Sequence, residues 1–172
     1  MIDLKKYIET YPDFPKPGIL FYDISSLMAD AKTWKETIDQ FSLLVKKYNP
    51  EVLAGIESRG FIFASTIAYK LNCEVIMIRK KGKLPGKTIS HTYKLEYGED
   101  CLEIQKKDNL KNKNIILIDD LLATGGTASA AIKLLQKTSV NVSAFLTLIE
   151  LTNLRGRENI SVQTDSLLSF DE

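Results

Sequence analysis

Histidine is nearly missing from this chain. His91 is the only one among 172 residues, and there are just two cysteines, Cys73 and Cys101. The cysteines form no CxxC pair, and one histidine cannot complete a metal site with them. They read as reduced thiols, which fits a cytoplasmic protein. Excess charge is also missing: 23 Lys and Arg stand against 22 Asp and Glu, a formal charge of +1. A dedicated nucleic-acid binder usually carries a clear basic excess, so nucleic acid is not an expected partner. No apolar run approaches the length that spans a bilayer. The first residues, MIDLKKYIETYPDF, place charges every few positions and do not read as a signal peptide. No GxGxxG is present, which disfavours a dinucleotide-binding module. Internal repeats and low-complexity linkers are absent too.

What remains is an ordinary globular composition, 44% apolar and 26% charged, in a length that suits one domain with a substantial core. Helical and strand patterns alternate. Trp34, Ile38, Phe41, Val45 and Tyr48 recur at helical spacing, and Pro50 follows their end. Val52–Glu57 reads as a short strand, Phe61–Leu71 as a helix with Phe61, Ala64, Ala68 and Leu71 on one face, and Val75–Arg79 as a second strand. Val142–Glu150 reads as a further buried strand. Such alternation with short connections predicts parallel β-structure with right-handed crossovers. Two segments break the rhythm. Residues 1–33 carry Pro12, Pro15 and Pro17 and predict an irregular cap after one short helix. Residues 80–107 form a long excursion whose stretches HTYKLEY and CLEIQ alternate. They predict a hairpin arm that acts as a mobile lid, the least ordered part of the ligand-free protein.

The most informative stretch is Ile115–Thr127, IILIDDLLATGGT. Apolar residues run into Asp119 and Asp120, then a glycine loop, then the helical pattern ASAAIKLLQK. Ligands of parallel α/β sheets bind beyond the carboxyl ends of strands. A glycine loop opening a helix offers unpaired N–H groups and the positive end of the helix dipole, which suits a phosphate. Two adjacent carboxylates would repel a phosphate but suit a sugar's hydroxyls or a phosphate-bound metal, and without partners they are costly at a buried strand end. The combination predicts a site for a phosphorylated sugar. Glu57-Ser58-Arg59-Gly60 should leave the same sheet edge, and Arg59 offers a planar fork for phosphate oxygens. Arg79–Lys87 packs five cations into nine positions, either a solvated loop or a lid over an anion. Gly82–Thr88 is not a P-loop: three residues separate its glycines where four are required, and no helical pattern follows Lys87.

These residues resemble a known family. The central motif matches the 5-phosphoribosyl-1-pyrophosphate (PRPP) motif of type I phosphoribosyltransferases. FPKPGILFYDIS, GIESRGF, RKKGKLPG, LEYG, IDDLLATGGT and ELTNLRGRE occur in the order seen in adenine phosphoribosyltransferases, and together they cover almost the whole chain. The resemblance implies a type I phosphoribosyltransferase fold: a parallel twisted sheet flanked by helices in a single domain, with a small N-terminal hood and a flexible β-arm. It implies a reaction of purine salvage, adenine plus PRPP giving AMP and pyrophosphate, with Mg2+ bound mainly through PRPP rather than by dedicated protein ligands. It implies a homodimer.

Carried over by position, Asp119 and Asp120 would hold the ribose hydroxyls, and Ala123, Thr124, Gly125, Gly126 and Thr127 would cradle the 5-phosphate. Glu57, Ser58, Arg59 and Gly60 would hold the pyrophosphate, with Arg59 acting in catalysis and Arg79 and Lys83 reaching the same group. Leu20 and Phe21 would line the adenine pocket, and Glu96 would be the acid/base group on the lid. The Glu57–Ser58 peptide is expected to be cis, as in related pyrophosphate loops. Tyr22 stands where family members often have Arg. The alternatives are a phosphoribosyltransferase for another purine, or a PRPP-sensing regulatory protein. The near-neutral charge and short length count against the second.

Overall fold

The computed structural model describes residues 2–94 and 98–171. The chain forms two compact units, residues 1–41 and 42–172.

The first unit is more regular than its prolines suggest. A 3-10 turn at Leu4–Tyr7 leads into strand β1 (Glu9–Pro12), which pairs antiparallel with β2 (Leu20–Asp23) in the register Glu9↔Asp23 to Pro12↔Leu20. The connection is tied by the Asp13 carboxylate, which accepts the Gly18 N–H at 2.7 Å. Helix α1 (Ser25–Ala29) follows, then α2 (Ala31–Lys46), whose start is capped by Asp30 accepting the Thr33 N–H at 2.8 Å. Helix α2 continues across the boundary between the units, with Ile38, Phe41 and Val45 buried as their spacing predicts.

The second unit is built on a seven-stranded sheet of order β5-β6-β4-β3-β7-β8-β9. Strands β3 (Val52–Ile56), β4 (Glu74–Lys80), β7 (Asn114–Leu122), β8 (Asn141–Leu151) and β9 (Gln163–Phe170) run parallel in their mutual pairings. Every residue of β3 is buried, because both sheet faces are covered. Helix α4 (Gly126–Gln136) packs its Ile132, Leu134 and Leu135 into one core with Val52, Ala54, Ile115, Leu117 and Phe145. Helix α3 (Gly60–Leu71) lies on the opposite face, where Gly55 comes against Ala64. Its buried stripe is Gly60, Phe63, Ala64, Ile67 and Ala68, not one flanked by Phe61 and Leu71 as expected. Phe61 instead sits under the Arg79 guanidinium, 5.9 Å from it.

The excursion forms the expected hairpin. Strand β5 (Thr88–Lys94) pairs antiparallel with β6 (Glu99–Gln105) from Thr88↔Gln105 to Lys94↔Glu99, and β6 joins β4 at Arg79↔Glu103. No helix follows Lys87, as the rejection of a P-loop requires. Strand β9 has no counterpart in the sequence reading; its alternation, with Thr164 buried among half-exposed neighbours, is weak. Among the described residues, no helix is long and apolar enough to cross a membrane.

Candidate active site

The chain leaves β3 toward β4 on one side, and β7 leads to β8 on the other, so the sheet's switch point lies between β3 and β7. Pairing of these strands stops at Gly55↔Ile118, but β7 continues alongside β8 as far as Leu122↔Glu150. The two carboxylates therefore do not end the strand, as its sequence suggested. They sit within β7, on the stretch that β3 has already left. That step opens a cavity of about 350 Å³, walled by Ile56–Arg59 on one side and Asp119–Ala128 on the other, with Lys80 at its edge. The two loops proposed from sequence are thus brought together.

Gly60 sets their separation. A Cβ there would lie 2.7 Å from the Ile118 carbonyl oxygen and 3.0 Å from Asp119 Oδ1, so only glycine lets the start of α3 approach β7 this closely. Asp120 is buried, and its Oδ2 accepts the Arg59 Nε at 2.8 Å. Asp119 Oδ1 accepts the Asp120 N–H at 2.9 Å. Burial, and then the neighbouring Asp120 charge, push the Asp119 carboxyl well above the ordinary aspartate range. Each carboxylate of the pair thus has a partner for the charge or lone pair it buries. The Glu57–Ser58 peptide is cis, as expected.

The turn before α4 is made of backbone. Gly125 is left-handed at φ +80°, and its carbonyl accepts the Ser129 N–H at 2.9 Å. Helix geometry leaves the Gly126, Thr127 and Ala128 amides without an intrahelical acceptor. A Cβ on Gly126 would meet nothing within 4 Å, whereas one on Gly125 would lie 2.4 Å from the Gly156 carbonyl oxygen. The loop leans on a second turn: Asn159 donates to the Thr124 carbonyl at 2.8 Å, and a Cβ on Gly156 would lie 2.1 Å from the Ala123 carbonyl oxygen. That turn is in turn held by Arg157, whose fork grips the buried Glu150 carboxylate at the end of β8. Gly156 and Asn159 were not expected at the site. The motif ELTNLRGRE marked the segment, but nothing in it pointed to the loop that it supports.

Arg79 and Lys83 do not wall the cavity. Arg79 donates from Nε and Nη2 to Glu57 at 3.2 Å each, and from Nη1 to the Lys83 carbonyl. Glu57 also accepts the Lys80 N–H at 2.8 Å. Burial pushes the Glu57 carboxyl up, but the Arg79 and Lys80 bonds lower it further, so it stays ionised. Besides Arg59, the cation at the cavity is Lys80, which lies inside the basic run Arg79–Lys87. Its ammonium pairs with Asp100 of β6. Asp100 also accepts the Tyr93 hydroxyl at 3.2 Å, and that hydroxyl lies 3.4 Å from Thr127 Oγ1. Glu96 lies outside the described residues.

In the first unit, Phe21 and Asp23 line a cavity of about 590 Å³ with Tyr11, Pro12, Asp13 and Phe14. Phe14 and Phe21 meet edge to face at 5.1 Å. Leu20 is half-buried and does not line it. Tyr22 is buried, and strand alternation turns it to the face opposite Phe21.

The fold has known counterparts. Residues 23–167 match the family model described as the phosphoribosyl transferase domain. A protein of Rhodospirillum rubrum called adenine phosphoribosyltransferase is 51% identical over 170 residues, spanning 99% of each chain. The crystal structure of an adenine phosphoribosyltransferase from Thermoanaerobacter pseudethanolicus superposes with a TM-score of 0.94 at 40% identity, over 98% of both chains. That of Saccharomyces cerevisiae, complexed with adenine and an imino-altritol bisphosphate, gives 0.92 at 36% identity over 96% of this chain and 97% of its own.

Proposed function

The chain belongs to the adenine phosphoribosyltransferase family, and from that premise we propose that it joins adenine to the ribose of PRPP, giving AMP and pyrophosphate. The observation that carries this reading is the cavity at the β3–β7 switch point, where an amide-rich turn and a charged turn face each other within a fold shared along nearly its full length with these enzymes. The bond from ribose C1 to a diphosphate oxygen breaks, a C1–nitrogen bond to the base forms, and the base's ring N–H proton departs.

The free amides of Gly126, Thr127 and Ala128 suit a 5-phosphate, and fixed dipoles of this kind need no reorganisation when the anion arrives. Asp119 and Asp120 suit the ribose hydroxyls. Arg59 and Lys80 suit the leaving diphosphate, whose charge grows as C1 becomes cationic. Glu96 is the candidate group for the proton, and closure of the β5–β6 arm over the site would exclude water. Mg2+ fits this donor set. The oxygens available are two carboxylates, one already neutralised by Arg59, and among the described residues no larger acidic cluster exists. Mg2+ binds through one or two carboxylates plus substrate phosphates, and when bound it supplies charge to the departing diphosphate.

Phe21 with Phe14 offers an aromatic wall for adenine, and Tyr22 faces away from it, so its replacement of Arg does not alter that wall. The exposed Tyr69, Val75 and Met77 on α3 and β4 support assembly as a homodimer, and light scattering in solution tests it. The composition suits a cytoplasmic enzyme. A spectrophotometric assay with PRPP and Mg2+ tests the reading as a whole. If a backbone carbonyl of the segment around Phe21 meets the C6 amino group of adenine, adenine is expected to be preferred over hypoxanthine and guanine by roughly 10⁴-fold in kcat/KM, since a 6-oxo purine would leave two acceptors facing each other. Comparable values for adenine and hypoxanthine would overturn the base assignment.

A further inference from the structure

We propose that Asp100 is an exchangeable counter-ion for Lys80, which the substrate's diphosphate must displace, so that Asp100 limits how tightly diphosphate is held. This rests on reading the β3–β7 cavity as the diphosphate site.

Lys80 is the only cationic side chain besides Arg59 that walls the described cavity. Its backbone is fixed by the Glu57 carboxylate through its own N–H, while its ammonium lies on Asp100. Glu57 is occupied by Arg79 and cannot serve as an alternative partner without giving up that fork. Asp100 does not depend on Lys80. Its Oδ1 accepts the Cys101 N–H at 2.8 Å and its Oδ2 accepts the Tyr93 hydroxyl. Once the ammonium leaves, the carboxylate keeps two neutral donors and stays in place.

Both partners are charged at neutral pH. Burial pushes the Lys80 amine down, but the Asp100 bond and the nearby Tyr93, Asp100 and Glu57 raise it more. Burial pushes Asp100 up, but the Lys80 bond and the Cys101 N–H pull it lower. An incoming diphosphate thus finds its lysine already neutralised, with a fixed negative charge beside it. A departing pyrophosphate finds a carboxylate ready to take the lysine back. The Tyr93 hydroxyl, between Asp100 and Thr127, ties this exchange to the arm and to the phosphate turn.

The test is calorimetric binding of Mg2+-pyrophosphate to the wild type, Asp100→Asn, Lys80→Met and the double variant, each checked for folding by circular dichroism. Asparagine preserves an acceptor for Cys101 and Tyr93. Asp100→Asn is expected to bind pyrophosphate about fivefold more tightly, the size of coupling in a half-exposed ion pair. KM for PRPP should fall in the same ratio, with KM for adenine unchanged. In the Lys80→Met background the same change should have little effect. A positioning residue of the ordinary kind gives the opposite sign, so equal or weaker binding by Asp100→Asn would overturn the proposal. Equal tightening with and without Lys80 would also overturn it, since simple repulsion would then suffice. Absence of any pyrophosphate binding by the wild type would sink the diphosphate-site reading itself. Should Asp100→Asn fail to fold, Asp100→Ser takes its place with the same expectations.

Discussion

In the turn after β3, every charge already has a partner: Glu57 holds Arg79, and Arg59 holds Asp120. Between Ala123 and Thr127 there is no charge at all, but amides at a helix start and two threonine hydroxyls, backed by Gly156 and Asn159. The first wall is made of long side chains whose partners can be exchanged when an anion binds. The second is made of backbone dipoles that are correct beforehand. A charged wall offers strong but adjustable attraction, at the cost of breaking internal pairs. A backbone wall offers weaker attraction that is fixed by the packing behind it. The two should therefore fail differently when altered.

The largest effect is expected from the packing behind the backbone wall. Gly125→Ala combines a left-handed φ with a 2.4 Å approach to the Gly156 carbonyl oxygen, and Gly156→Ala meets the Ala123 carbonyl at 2.1 Å. Each should destabilise the protein by roughly 3 kcal/mol, seen as a large fall in Tm. A near-normal Tm in both would show that the turn is looser than its contacts imply.

On the charged wall, Asp120→Asn should leave the fold intact and lower kcat/KM for PRPP about 10²-fold, because Arg59 loses its anchor. Asp119→Asn should cost only about tenfold, since burial already drives this carboxyl toward its neutral form, which an amide imitates. Thermal melts with steady-state kinetics on both variants check this. Wild-type activity in both would remove the pair from the site.

Gly126→Ala separates binding from folding. Its Cβ meets no neighbour, so stability should stay within about 0.5 kcal/mol or rise slightly. KM for PRPP should nonetheless increase about tenfold, because the open space beside Gly126 is where the phosphate would approach. An unchanged KM would move the phosphate elsewhere on the loop.

The smallest effect concerns pH. The Asp119 carboxyl is raised above its usual value near 3.8. As pH climbs past that value the unfolded carboxyl ionises while the folded one resists, so the folded state binds more protons and Asp119's contribution to stability falls. The decline ends once the raised value is passed. Urea melts at a series of pH values should show wild-type stability falling relative to Asp119→Asn across that window. A parallel pair of curves would contradict the raised value. The lowered carboxyls of Glu57, Asp100 and Glu150 act in the opposite sense, but they are common to both proteins.

The glycine turn before α4 and the β5–β6 hairpin were legible because each rests on local rules. Glycine followed by small residues opens a helix wherever it occurs, and HTYKLEY and CLEIQ alternate as a hairpin must. The N-terminal hairpin was hidden by its prolines, which here sit at a strand end and in the connection without interrupting a ladder. β9 was hidden because its residues are only half-buried, which blunts the alternation. Arg79 drew attention as a cation beside a basic loop, but which carboxylate it would meet depends on where β3 and β4 end relative to each other.

By itself the sequence determined the parallel core and the two loops that wall the cavity, because periodicity and glycine stereochemistry act over a few residues. The tertiary structure alone decided which charges are paired. It put Lys80 rather than Arg79 or Lys83 at the cavity, gave Lys80 to Asp100 and Arg59 to Asp120, and set Gly156 behind Gly125. These partners are separated by 20, 61 and 31 positions along the chain, and only strand register and crossover direction bring them within hydrogen-bonding or contact range.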